Sequence, residues 1–204
     1  MSFDPEKHHR RSVRLKGYDY AQVGAYFVTI CTYQRECLFG EVVEGEMRVN
    51  SHGAIVQRCW SDLPRHYPYV ELDAFAVMPN HVHGIVVLTG FPILANVGAG
   101  LRPAPTSASR PHPLSEIVRA FKSFSSRHVN RLRNTPGLPL WQRNYYEHVI
   151  RDEQELHTLR QYVADNPLQW ALDQENPARV TIANKLNASR VLPRQERLRS
   201  CKQG

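Results

Sequence analysis

The sequence predicts one α+β domain, a central sheet with helices on one face. Three observations carry that expectation: strands and helices alternate in mixed order, an antiparallel hairpin comes early, and crossovers follow later. At 204 residues, 42% hydrophobic and 22% charged, the chain can bury a sizeable core, which excludes a disulfide-stapled miniprotein and a chain disordered in bulk. No internal repeat is present.

Each element has its own signature. Tyr26-Phe-Val-Thr-Ile-Cys-Thr-Tyr33 is dense in β-branched and aromatic residues, so it reads as a buried strand. A second strand runs from about Leu38 to Glu44, and Glu44-Gly45-Glu46 turns it back into Met47 to Asn50. Ile55, Trp60 and Leu63 then mark a helix over 51–63 that Pro64 ends. Val70 to Val77 and Asn80 to Leu88 are strands joined by the Met78-Pro79-Asn80 turn. Residues 89–113 hold five Pro and three Gly without a hydrophobic period, so they form a long flexible loop inserted in the domain. Leu114, Ile117, Val118, Phe121, Phe124, Val129 and Leu132 recur at helical spacing, with Ser115 as the expected N-cap. Tyr145 to Arg151 is a further strand, and Glu153 to about Asp165 a helix with Leu156, Leu159, Tyr162 and Val163 on related faces.

The formal net charge of +7 points to an anionic partner. It is distributed unevenly. Residues 1–17 contribute +3 and residues 178–204 contribute +6, whereas residues 18–177 carry 14 basic and 16 acidic groups. The chain therefore divides into a basic head (1–17), a central domain (18–177) and a basic tail (178–204). Within the domain, Arg119, Lys122, Arg127, Arg131 and Arg133 face only Glu116 across 114–133, which gives that helix an outward cationic face. Cys31, Cys37, Cys59 and Cys201 show neither C-x-x-C nor zinc-finger spacing, so a reducing cytoplasm fits them. The N-terminal stretch lacks the apolar segment of a secretory signal, and no apolar run reaches membrane-spanning length. A soluble protein that stays in the cytoplasm is expected.

The strongest chemical signal is Pro79-Asn80-His81-Val82-His83-Gly84. In a strand, positions i and i+2 share a face, so His81 and His83 present two imidazoles side by side, a geometry suited to one divalent ion. A histidine-triad hydrolase would need another His at position 85, which is Ile, and zinc hydrolases with this pair add an Asp-His shortly afterwards, where this chain continues Gly-Ile-Val-Val. HUH nucleases remain, in which two His separated by a hydrophobic residue hold Mg²⁺ or Mn²⁺ and a tyrosine on a separate helix attacks DNA.

Four segments in order extend that likeness: Tyr26 to Tyr33, Val77-Met-Pro-Asn-His-Val-His-Gly-Ile-Val86, Leu140-Trp-Gln-Arg-Asn-Tyr-Tyr-Glu-His-Val149 and Tyr162-Val-Ala-Asp-Asn-Pro167. Over about residues 20–177 the chain resembles the REP-associated tyrosine transposases, a branch of the single-tyrosine HUH transposases. The resemblance implies a ferredoxin-like HUH fold, with Tyr162 as the nucleophile and Asn166 as a metal ligand beside His81 and His83. That spacing is physically sensible, because i and i+4 share one helical face, and Pro167 is expected to stop the helix just after Asn166. Tyr145 and Tyr146 read as packing or base-stacking residues. His148 is either a contact near the site or a surface strand histidine.

The function implied is a metal-dependent endonuclease and strand transferase. It would cut single-stranded DNA near REP-like hairpin repeats through a 5′-phosphotyrosine bond, as a monomer or homodimer. The alternative is a protein that binds DNA or RNA hairpins on the same scaffold without cutting them. Arg119, Lys122, Arg127, Arg131 and Arg143 are the expected DNA contacts, and the C-terminal tail is expected to strengthen binding. A replication initiator is disfavoured because no helicase segment follows.

Overall fold

The computed structural model describes residues 17–90, 112–173 and 176–177. The basic head before Gly17, the loop over 91–111 and the basic tail from 178 onward lie outside the described residues, as does Cys201.

Among the described residues the elements are β1 (Gly24–Cys31), β2 (Gly40–Val43), β3 (Glu46–Val49), α1 (Ser51–Ser61), a short α2 (Leu63–His66), β4 (Val70–Val77), β5 (His81–Leu88), α3 (Leu114–Leu132), β6 (Tyr146–Ile150) and α4 (Glu153–Gln169). The main sheet has the order β4-β5-β1-β6, and every neighbouring pair is antiparallel. β2 and β3 form a separate hairpin. Its turn places Glu44 at φ 52° and Gly45 at φ 81°, the two positive values that suit the right-handed twist of paired strands.

Strand periodicity decides the two faces of the sheet. Tyr26, Val28 and Ile30 of β1, with Val82 and Val86 of β5, enter a large core with Val56 and Trp60 of α1 and with Leu114, Ile117, Val118 and Phe121 of α3. The alternate residues Phe27, Ile85 and Ile150 pack against Val163 of α4, with Leu156 and Leu159 alongside. The helices expected on one face are thus divided, α1 and α3 on one side and α4 on the other. Periodicity fixes which stripe of a helix is buried, but not which side of the sheet receives it. His81 and His83 lie in register with Cys31 and Thr29, so they face α4.

Gly84 shows what the sheet demands behind the histidines. A Cβ there would sit 2.3 Å from Trp60 Cζ2, and the Trp60 ring stacks on Phe75 with centroids 4.6 Å apart. Only glycine leaves room for the indole. At α1 the Asn50 side chain accepts from the His52 and Gly53 N–H groups, an N-cap that sets the start of the helix.

Several boundaries differ from the sequence expectation for identifiable reasons. Pro64 does not end α1; Asp62 caps it, and Pro64 occupies the first turn of α2, where a missing N–H costs nothing. Ser115 lies inside α3, whose N-cap position is Pro113 and has no side-chain cap. β1 ends at Cys31, and Tyr33–Arg35 is a 3₁₀ turn. Pro167 does not stop α4, which runs to Gln169 and passes into a 3₁₀ turn over Trp170–Leu172. A proline in the last helical turn forfeits one hydrogen bond while the flanking packing holds the turn.

The Leu140-Trp141-Gln142 segment is structural. Trp141 is buried and donates from Nε1 to Ser125 Oγ of α3 at 2.9 Å, while Gln142 N–H bonds Cys31 O at 2.9 Å. It ties α3 to the end of β1. No helix among the described residues is long and apolar enough to cross a membrane.

Candidate active site

Four sequence-predicted residues converge on the α4 face. His81 and His83 come from β5, Tyr162 and Asn166 from α4. The α4 stripe facing the sheet runs Leu156, Leu159, Val163, Asn166; its last position carries a carboxamide where the pattern would place another apolar core residue. Asn166 is buried, and its Oδ1 has no well-formed hydrogen bond among the described residues. It lies near enough to His81 to favour a charged imidazole slightly. A buried carbonyl oxygen left without a donor costs about 1–3 kcal/mol unless something else supplies a positive partner.

The histidines are pinned at one nitrogen and converge at the other. Their Nε2 atoms are 3.0 Å apart. His81 Nδ1 lies 2.9 Å from Asn80 Oδ1, and Asn80 Nδ2 donates to Arg35 O at 3.1 Å, which fixes the amide oxygen towards the ring. His81 therefore carries its hydrogen on Nδ1, so its Nε2 lone pair accepts from His83 Nε2 and is the donor an electrophile would take instead. His83 Nδ1 is 2.8 Å from Thr29 Oγ1. A hydroxyl donates or accepts, so His83 can shift its own hydrogen to Nδ1 when a cation takes Nε2.

Burial keeps both rings neutral. It pushes the His81 pKa down to about 4; Asp173 pulls it upward, Arg35 lowers it and Asn166 raises it. His83 is held well below the usual histidine range by burial first and by His81 second. Neutral imidazoles are the metal-binding form.

Sequence reasoning missed Asp173. Its Oδ2 is 4.0 Å from His81 Nε2, and His81, His83 and Asp173 offer donor atoms all within 4.8 Å of one another. The 3₁₀ turn after α4 folds the chain back to bring it there, with Trp170 packing 5.9 Å from His81. The donor set fits a divalent cation: two neutral imidazoles and a carboxylate, with the buried Asn166 carboxamide oxygen alongside.

Tyr162 stands next to this cluster. Its ring centroid is 5.2 Å from that of His83 and 5.9 Å from Phe27, which itself stacks on His83 at 5.4 Å. With 41% of the residue exposed, the side chain borders an open cleft of about 750 Å³ lined also by Thr29, Tyr146, His148, Leu159, Asn166 and Asp173. The buried donors are therefore reached by way of an exposed hydroxyl-bearing ring. The ion pair of Arg160 with Asp73 (Nε to Oδ1 2.9 Å) anchors α4 to β4 two residues before Tyr162.

The expected DNA contacts lie elsewhere. Arg119, Lys122, Arg127 and Arg131 are on α3, across the sheet from the cleft. Arg119 pairs with Glu116 through Nε to Oε2 at 2.8 Å. Lys122 is half-buried and spans to the Gln142 and Arg143 carbonyls at 2.6 and 2.9 Å, so it clamps the connection before β6. Arg127 lies over the Phe124 ring at 4.8 Å, and with His128 and Arg131 these residues line a shallow groove of about 400 Å³. Arg143 is exposed on the segment leading into β6.

No family model matches the chain. A Haemophilus influenzae protein described only as uncharacterized is 39% identical over 169 residues, covering 82% of this chain and 93% of its own length. A second protein of that organism, bearing the name of a REP-associated tyrosine transposase, is 27% identical over 150 residues, 74% of this chain and 73% of its own. Among solved structures, a REP-associated tyrosine transposase bound to a REP hairpin superposes with a TM-score of 0.51 at 19% identity, covering 76% of this chain and 73% of that one. The likeness to this solved structure is one of fold.

Proposed function

We propose that the chain is a transposase of the REP-associated tyrosine type, as its likeness to a relative of that name supports, and that it cuts and rejoins single-stranded DNA near hairpin repeats through a covalent Tyr162 linkage. The observation that carries this reading is the placement of the exposed Tyr162 ring 5.2 Å from His83, at the mouth of a buried His-His-Asp cluster.

In this mechanism the Tyr162 oxygen attacks the scissile phosphorus, forming a tyrosine–phosphate ester as the bond to the 3′ oxygen breaks. The phenolic proton leaves and the departing oxygen takes one up, yielding a 5′-phosphotyrosine and a free 3′-OH that can reverse the step. Ester is exchanged for ester, so no nucleotide cofactor is required. His81, His83, Asn166 and Asp173 would hold Mg²⁺ or Mn²⁺, which when bound supplies positive charge to the phosphate oxygens. Phe27 stacks on His83 and also touches Tyr162, fixing the angle between nucleophile and donors. Asn80 and Thr29 hold the rings that face the phosphate. Arg119, Arg127, Arg131 and Arg143 would bind the hairpin backbone, and such a substrate puts the protein in the cytoplasm, at the nucleoid.

The test is an incubation with hairpin-flanked single-stranded DNA and Mg²⁺ or Mn²⁺, followed by denaturing electrophoresis. A covalent adduct is expected that Tyr162→Phe abolishes and Tyr146→Phe retains. Hairpin binding with no adduct under either metal would instead assign the chain to the non-cutting class.

A further inference from the structure

The far end of the cleft contains groups that neither the nucleophile nor the cation donors use. Tyr146 and His148 alternate along β6 with buried Glu147 and thus share the site face. Both line the cleft, with Leu159 of α4 opposite. Tyr146 stands edge-on to Phe27, centroids 6.4 Å apart, yet 43% of it is open. An aromatic face held on one edge and open on the other is a stacking platform.

His148 is oriented by α4. Its Nε2 lies 2.6 Å from Glu155 Oε1, and Glu155 Oε2 accepts the Arg151 N–H at 2.8 Å. The Arg151 N–H, and after it His148, hold the Glu155 carboxyl below its usual range. An ionised carboxylate only accepts, so His148 carries hydrogen on Nε2. Its Nδ1 makes no hydrogen bond among the described residues. Glu155 precedes Tyr162 by seven residues, roughly 10 Å along the helix axis, so His148 reaches a nucleotide beside the one under attack.

We propose that Tyr146 and His148 form a subsite for the nucleotide flanking the scissile phosphate. Tyr146 stacks its base, His148 Nδ1 hydrogen-bonds the same nucleotide, and Glu155 is the positioning residue. The subsite rests on the functional reading above, since it takes its occupant from the strand that Tyr162 attacks.

The experiment measures binding by fluorescence anisotropy with EDTA present, so that cleavage does not intervene. Two probes are compared: a blunt DNA hairpin, and the same hairpin with single-stranded extensions of about ten nucleotides. Tyr146→Leu and His148→Ala should each weaken binding of the extended probe roughly 5- to 50-fold and leave the blunt probe unchanged. Tyr146→Trp should retain affinity. Glu155→Gln should weaken the extended probe alone and have no further effect in the His148→Ala background. Melting temperatures of the variants check that they fold. Equal losses on both probes, or no loss on the extended one, would overturn the subsite. If the wild type still binds the extended probe and forms the Tyr162 adduct in that case, the functional reading stands while the subsite falls. If the wild type binds neither probe, both fall.

Discussion

The Nε2 atoms of His81 and His83 stand 3.0 Å apart, and each ring is held at its other nitrogen, by Asn80 and by Thr29. Those outer contacts set tautomer and direction together. Thr29→Val and Asn80→Ala should therefore weaken Mn²⁺ binding about 10- to 100-fold while leaving both ligand rings in place. Titration calorimetry without DNA measures this. Unchanged affinity in both variants would show that packing alone orients the imidazoles.

Behind the histidines, Gly84→Ala should destabilise the fold, because the added methyl meets the Trp60 ring at 2.3 Å and Trp60 is held by Phe75 and Phe121. Overpacking of this kind costs about 1–3 kcal/mol. Urea unfolding is the measurement, and a wild-type midpoint would contradict the close approach.

Acid should destabilise the metal-free protein earlier than its carboxylates require. The folded His81 pKa is depressed to about 4, so between the unfolded value of 6.5 and that point the unfolded chain binds a proton that the fold does not. This contribution is complete above about pH 6.5 and is lost as pH falls towards 4, at up to ~1.4 kcal/mol per pH unit for each proton excluded. His83 is depressed in the same direction. Asp73, held low by Arg160, retains its contribution until pH falls below its ordinary value of 3.8. Thermal melts between about pH 7 and pH 4.5 should fall steadily in the wild type and less steeply in His81→Gln, where only His83 still excludes a proton. A flat wild-type profile would contradict neutral burial of the pair.

The α3 cations should separate into two behaviours. Arg127→Ala and Arg131→Ala should each flatten the dependence of log affinity on log salt by roughly one phosphate contact, since both are exposed at the Phe124 groove. Lys122→Ala should instead lower stability, because its ammonium is occupied by the Gln142 and Arg143 carbonyls. Filter binding across a salt series, alongside melting curves, distinguishes them. A salt slope altered only by Lys122→Ala would reverse the assignment.

Much of the cleft was legible from local periodicity. Period two puts His81 and His83 on one face; Tyr162 and Asn166 are singled out by the resemblance, and their i, i+4 step is consistent with one side of a helix. What is not legible depends on two elements meeting. Thr29 reaches His83 only through the β1–β5 register, and Asp173 reaches the pair only because the chain turns back after α4. Likewise, the stripes of α3 and α4 foretell burial without saying that they bury against opposite faces. The composition of α3 suggested a uniform cationic surface, yet Lys122 is used internally, a contact made with residues twenty positions away.

The turn that delivers Asp173 also fixes where the chain goes next. Asn176 is tied back by its Nδ2 to Trp170 O at 2.9 Å and by its N–H to Asp173 O at 3.2 Å. The segment 178–204, with its seven basic residues, therefore begins five residues beyond Asp173. If a DNA strand occupies the cleft as proposed, its encounter with these residues is intramolecular and is governed by an effective concentration that the connecting length sets. Added in trans, the same peptide would have to reach that concentration in free solution to act equally.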